Sequence, residues 1–197
     1  MPRRKQRKQR QPKRTVLVVT NGRVTEMEYL TQIKRHHGLK NTTVKVEFVG
    51  KDPRNLVDKL VSPNGDTRDY DQVWVVVDED GDDLTNFLRR CENLSSPDQQ
   101  WRAIVSRPSF EVWLIAHYTQ VKKYRTQLEA QRHYAELVPD GTPEKSLPKD
   151  FPYDEVKSAL ARCHLRGVEV APPNNLPPLP GTAMPHLIEG LAIDTPS

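Results

Sequence analysis

Long apolar runs are absent from this chain. Nothing in it approaches the roughly 20 consecutive apolar residues that cross a bilayer, which excludes a helical membrane protein. The charged beginning is followed by no apolar stretch, so no secretory signal is expected. Cysteine is scarce: Cys91 and Cys163 stand far apart and fit neither a zinc-ligand spacing nor a disulfide framework. These absences point to a soluble protein of the reducing cytoplasm. The familiar catalytic signatures are missing too. There is no phosphate loop ending in Gly-Lys-Ser/Thr, no Gly-x-Ser-x-Gly elbow and no His-Glu-x-x-His pair. His36, His37, His133, His164 and His186 show no ligand spacing, and no internal repeat is visible.

Acid is missing from the first 14 residues, MPRRKQRKQRQPKR, which hold eight Lys or Arg. Removing those eight from the 30 basic residues leaves 22 against 26 acidic ones. The body is therefore mildly acidic, and the net charge of +4 belongs to the arm. With nothing apolar to bury, the arm is expected to be disordered alone. Arg3, Arg4, Lys5, Arg7, Lys8, Arg10, Lys13 and Arg14 read as an electrostatic grip on phosphate backbones, the alternative being a tail that only aids solubility.

What is present suits one domain at 197 residues. Thr15–Val19 reads as a strand buried on both faces. A helix follows from Thr25, where Thr25 and Glu28 fit a capping box. Thr43–Val49 alternates as a strand with one polar face, and Arg54–Val61 suggests a helix. Val73–Val77 is the strongest strand, Leu84–Leu94 a helix, Trp101–Val105 a fourth strand and Phe110–Tyr118 an almost wholly apolar helix. Strands alternating with helices predict a mostly parallel sheet of about four strands with helices on both faces. Residues 121–137 and 154–166 look helical. Six of the 17 prolines fall between Pro172 and Pro185, an extended segment. The expected organisation is an arm over 1–14, an α/β core over 15–118, and a helical and proline-rich part over 119–197 packed on that core.

In such sheets the working site lies beyond the carboxyl ends of the strands, where three constellations fall. Asp78 and Asp80 end the central strand. Residues two apart on a strand share a side, so both can face one ion while Glu79 points away, and a hard cation takes one or two protein carboxylates. The same residues also suit a polar turn, with Asp82-Asp83 capping the next helix. Asn21-Gly22 follow the first strand, where a glycine lets the backbone approach phosphate or metal closely; Glu26, just beyond, faces the strand ends or favours the helix dipole. The third runs Ser106-Arg107-Pro108-Ser109-Phe110-Glu111-Val112-Trp113-Leu114-Ile115-Ala116-His117. Glu111 at the mouth of its helix can orient water or complete a metal shell. His117 shares a stripe with Phe110 and Trp113, which suits a satisfied core histidine.

Taken in order, these elements resemble the RloB-like family. The resemblance rests on the basic tail, x-Gly-x-x-Thr-Glu-x-x-Tyr after the first strand, Asp-x-Asp after an apolar strand, and Ser-x-Pro-x-Phe-Glu-x-Trp-Leu-x-x-His. It extends to Gly50-Lys51-Asp52-Pro53, Asp69-Tyr70-Asp71 and Leu179-Pro180-Gly181-Thr182. It implies a Toprim-type fold, a link to bacterial phage defence, and a Mg²⁺-dependent phosphodiester site with Mn²⁺ as a substitute. On that basis Asp78 and Asp80 would hold metal, Glu26 and Glu111 would serve as catalytic acids, and Gly22, Ser106 and His117 would line the site. RNA or DNA is the implied partner, with a second defence protein beside it. One position departs from the family pattern: Asn21 stands where a glutamate acid/base is usual. An amide carries no charge and takes no proton at neutral pH. A cleaving nuclease and a binding module without catalysis therefore both remain open, as does transfer chemistry on a small nucleotide.

Overall fold

In a computed structural model, residues 13–39, 41–139, 142 and 146–191 are described. Val16 to Val19 and Val73 to Val77 are buried throughout, and alternation along each strand sends their side chains to opposite faces. Val16, Val18, Trp74, Val76 and Ile104 enter one core, while Leu17, Val19, Val73, Val75, Val77, Ala103 and Val105 enter the other. A sheet apolar on both faces must be covered on both, and the helices do this.

The elements run β1 (Arg14–Thr20), α1 (Thr25–His37), β2 (Thr42–Phe48), α2 (Pro53–Val61), β3 (Gln72–Asp78), α3 (Thr85–Leu94), β4 (Gln100–Arg107), α4 (Glu111–Tyr118), α5 (Gln127–Leu137), α6 (Val156–Arg162), β5 (Gly181–Thr182) and α7 (Met184–Gly190). The sheet order is β2-β1-β3-β4-β5. The first four strands pair in parallel; β5 joins β4 antiparallel through Ser106↔Thr182 and Arg107↔Gly181. Helices α2 and α3 cover one face, with Leu56, Leu60, Phe87 and Cys91 in its core. The other core takes Tyr29, Trp113, Tyr134, Val156 and Leu187 from α1, α4, α5, α6 and α7. The fold is thus α/β with a mostly parallel sheet, in agreement with the Toprim-like class. Cys91 and Cys163 are buried free thiols in separate cores. No helix among the described residues is long and apolar enough to cross a membrane.

Several expectations are corrected. The fifth strand adds to the four expected. Arg14, read with the arm, is the first residue of β1, and its guanidinium donates to the Gly190 carbonyl. Lys13 is exposed just before it, and Arg3, Arg4, Lys5, Arg7, Lys8 and Arg10 lie outside the described residues. The capping box does not form: Val24 is the cap residue of α1, without a side-chain cap bond, and Glu28 accepts from the Leu147 N–H at 3.2 Å. Helix α5 begins at Gln127, where Thr126 caps it by accepting from Glu129 N–H at 3.3 Å. The segment expected as one helix from 154 to 166 is a 3-10 turn at Tyr153–Glu155 and then α6.

Helix α7 closes over the centre of the sheet. A Cβ on Gly190 would stand 2.5 Å from Trp74 Cη2, and Trp74 is fully buried, so its ring has nowhere to retreat. Gly190→Ala should destabilise by about 1–3 kcal/mol through overpacking. A lowered urea midpoint at unchanged slope would report it; an unchanged midpoint would mean that α7 slides on the ring.

Candidate functional site

In the order β2-β1-β3-β4-β5 the chain builds outward from β1 in one direction and then, from β3, in the other. The carboxyl ends of β1 and β3 therefore flank a crevice at the switch point, where open α/β sheets take their ligands. A cavity of about 410 Å³ opens there. Asn21, Gly22 and Glu26 reach it from the β1–α1 connection, Asp78 and Asp80 from the end of β3, and Phe110 and Glu111 from the start of α4. The structure thus brings Glu26, Glu111, Asn21 and the aspartate pair to one cavity.

Asp80 arrives there by a different route from the one expected. Strand β3 ends at Asp78, and the next residues form a turn closed by Asp82 N–H to Glu79 O at 2.7 Å. Its two central residues, Asp80 and Gly81, have φ of +46° and +78°. Aspartate tolerates that left-handed region and glycine occupies it freely. Glu79 leaves the cavity and meets the Arg107 guanidinium at 2.7 Å, and Arg107 also donates to Pro177 O at 2.9 Å. On the far side of the turn Asp83 accepts from Thr85 N–H at 2.9 Å at the start of α3.

Asp78 carries the electrostatic tension. The residue is half-buried, but its Oδ1 is enclosed and has no hydrogen-bond partner among the described residues. Burial first, then the charges of Glu26, Glu111 and Asp80, push its carboxyl well above the usual carboxylate range. The Phe110 backbone N–H donates to it and opposes that shift.

Glu26 lies against Gly22. A Cβ at Gly22 would stand 1.9 Å from the Glu26 carboxyl carbon, so the carboxylate rests directly over the Gly22 backbone and a side chain there would move it aside. Thr20 Oγ1 fixes the same turn by accepting from Gly22 N–H at 3.0 Å.

Ser106 and His117 do not line this cavity. Ser106 is buried against Thr182, Oγ to Oγ1 at 2.9 Å, and ties β5 to β4. His117 Nδ1 lies 3.0 Å from Pro152 O and its Nε2 lies 3.1 Å from the Tyr29 hydroxyl. A carbonyl only accepts, so Nδ1 carries the proton and Nε2 takes the tyrosine O–H. Burial lowers the His117 pKa to about 4. Its unfolded value lies near 6.5, so between pH 6.5 and 4 the unfolded chain binds the extra proton. Stability should then fall on acidification through that window, by about 3 kcal/mol from this residue. Imidazole resonances of His117 that remain neutral at pH 5.5 would support this; a midpoint near 6.5 would refute it.

Sequence reading missed Arg23 and Val24 on the cavity's rim and Gln127 and Gln131 on its α5 side. The glutamines follow a loop that had been read as helix and match no catalytic spacing, so no local signal marked them. Among the described residues no three His, Cys, Asp or Glu form a preformed metal cage, and the acids instead surround an open space.

A family model described as RloB-like protein matches residues 16–191. Neither a curated protein nor a solved structure matches the chain.

Proposed function

The chain belongs to the RloB-like family, and on that premise we propose that it is a metal-dependent nuclease of phage defence, cutting phosphodiester bonds in RNA or DNA. One observation carries the reading. Asp78 Oδ1 is buried and unpartnered beside the charges of Glu26, Glu111 and Asp80, a gathering of acid that folding alone disfavours and a divalent cation relieves. A hard cation that takes one or two protein carboxylates and keeps water for its other positions suits this open set.

Asp78 and Asp80 would hold Mg²⁺, or Mn²⁺ in its place. The ion, when bound, supplies a Lewis acid at the phosphodiester and neutralises developing charge. The protein's own groups do the rest. Glu26, lying over Gly22, and Glu111, at the start of α4, are the accessory acids that orient water and move protons. Asn21 positions without titrating. The arm through Lys13 supplies the grip on phosphate that an acidic cavity lacks.

Asn21 favours a second reading, a module that binds nucleic acid without cutting it. To separate the two, labelled tRNA, single-stranded RNA, single-stranded DNA and duplex DNA are incubated with Mg²⁺, with Mn²⁺ and with EDTA, beside an Asp78→Ala/Asp80→Ala variant. Metal-dependent cutting that the variant loses supports the nuclease and names its substrate. Binding without cutting, abolished by deleting residues 1–12, supports the module.

A further inference from the structure

The cavity has two chemically different sides. One is the acidic floor of Glu26 from α1, Asp78 and Asp80 from the end of β3, and Glu111 from α4. Facing it, Gln127 and Gln131 stand one helical turn apart on α5, hence on one face, both half-buried and both lining the cavity. No side chain or backbone group among the described residues engages either amide. Between the two sides the rim carries Arg23 and the 45% exposed Val24.

Resting on the nucleic-acid reading above, we propose that Gln127 and Gln131 form a base-reading wall that selects an unpaired adenine nucleotide next to the phosphate at the acidic floor. Glutamine amides offer donors and an acceptor in one plane and no charge. They are poorly suited to a phosphate, but they match the N6 donor and N7 acceptor of adenine in a bidentate pair. Among the described lining residues Arg23 is the one cation, and its exposed place on the rim suits a neighbouring phosphate. A cavity of about 410 Å³ is the size of a small-ligand site and has no room for a duplex. Single strands with bases turned out are what proteins read in this way, and Val24 gives such a base an apolar surface to lie on.

The test measures equilibrium binding of the four homopolymeric trinucleotides, as RNA and as DNA, in Mg²⁺. It compares the intact protein with the variant Q127A/Q131A. Alanine is a stronger helix former than glutamine, so α5 should persist, and circular dichroism of the variant checks that it does. The intact protein should favour the adenine trinucleotide by roughly tenfold or more, and the preference should collapse to within about twofold in the variant. Base-selective binding with no cleavage of any substrate would remove the nuclease reading and leave the wall in place. Cleavage without base preference, a preference that survives in Q127A/Q131A, or no binding of any trinucleotide would each overturn the wall.

Discussion

Replacing Asp78 by asparagine should make the metal-free protein more stable and at the same time end its response to divalent cations. Asp78 is the residue where both effects meet. Its Oδ1 is enclosed without a partner, and burial with the charges of Glu26, Glu111 and Asp80 raises its pKa. For a carboxyl raised in the folded state, the favourable contribution is present at low pH and is lost as pH rises from the ordinary carboxylate value through the folded one. At neutral pH in EDTA this carboxyl, whose charged form the site disfavours, therefore opposes folding. Asp78→Asn should relieve this by on the order of 1–3 kcal/mol, several degrees in melting temperature for a domain of this size. The gap between variant and wild type should widen as pH rises. With Mg²⁺ at about a hundred times its dissociation constant the wild type should gain about 2.7 kcal/mol, and the variant almost nothing. Melting curves of both proteins in EDTA and in Mg²⁺ decide the matter. A variant less stable than wild type in EDTA would make Asp78 a structural acceptor for the Phe110 N–H and sink the metal reading.

The second large effect is a gain. Asn21→Glu should raise Mg²⁺-dependent cleavage by about 10²–10⁴-fold, the usual contribution of a positioned acid or base. Asn21 lines the cavity beside Asp78 and Asp80, so the new carboxylate joins the cluster rather than the solvent. It also brings a further negative charge to a group that already repels itself. The metal-free variant should therefore unfold at lower urea, and its activity should rise more steeply with Mg²⁺. Single-turnover cleavage across a Mg²⁺ series measures both. A rate equal to that of wild type would mean that Glu26 or Glu111 already fills the role, or that the site does not cut.

What could be read from the chain was what local pattern and strand ends determine. Val73–Val77 announced the strongest strand, and it stands beside β1 at the middle of the sheet. Asp78, Asn21 and Glu111 were legible because the carboxyl end of a strand is a place, not merely a composition. Asp80 reaches the cavity for another reason than the one expected, since the strand stops two residues short of it and a left-handed turn brings it there. Strand β5 has two residues, too few for any period, and exists because Thr182 finds Ser106. Glu28 was assigned to a cap although its partner is Leu147, 119 residues away. Gln127 and Gln131 face the acids only because α5 folds back across α4, a relation between elements that no window of sequence contains.

The covering of Trp74 by α7 has a consequence for synthesis. Ala183, Met184, Leu187, Ile188 and Leu191 share one core with Val16, Val18 and Trp74, and Arg14 at the head of β1 reaches the Gly190 carbonyl. A ribosome delivers β1 and β3 long before it delivers α7. The emerging chain must leave the part of that face around Trp74 uncovered in the meantime, a surface that a chaperone would occupy. Fragments ending before this helix would keep every acidic residue of the cavity and still lack the part of the core that covers Trp74. For a protein proposed to cut nucleic acid, that order ties competence to a finished chain.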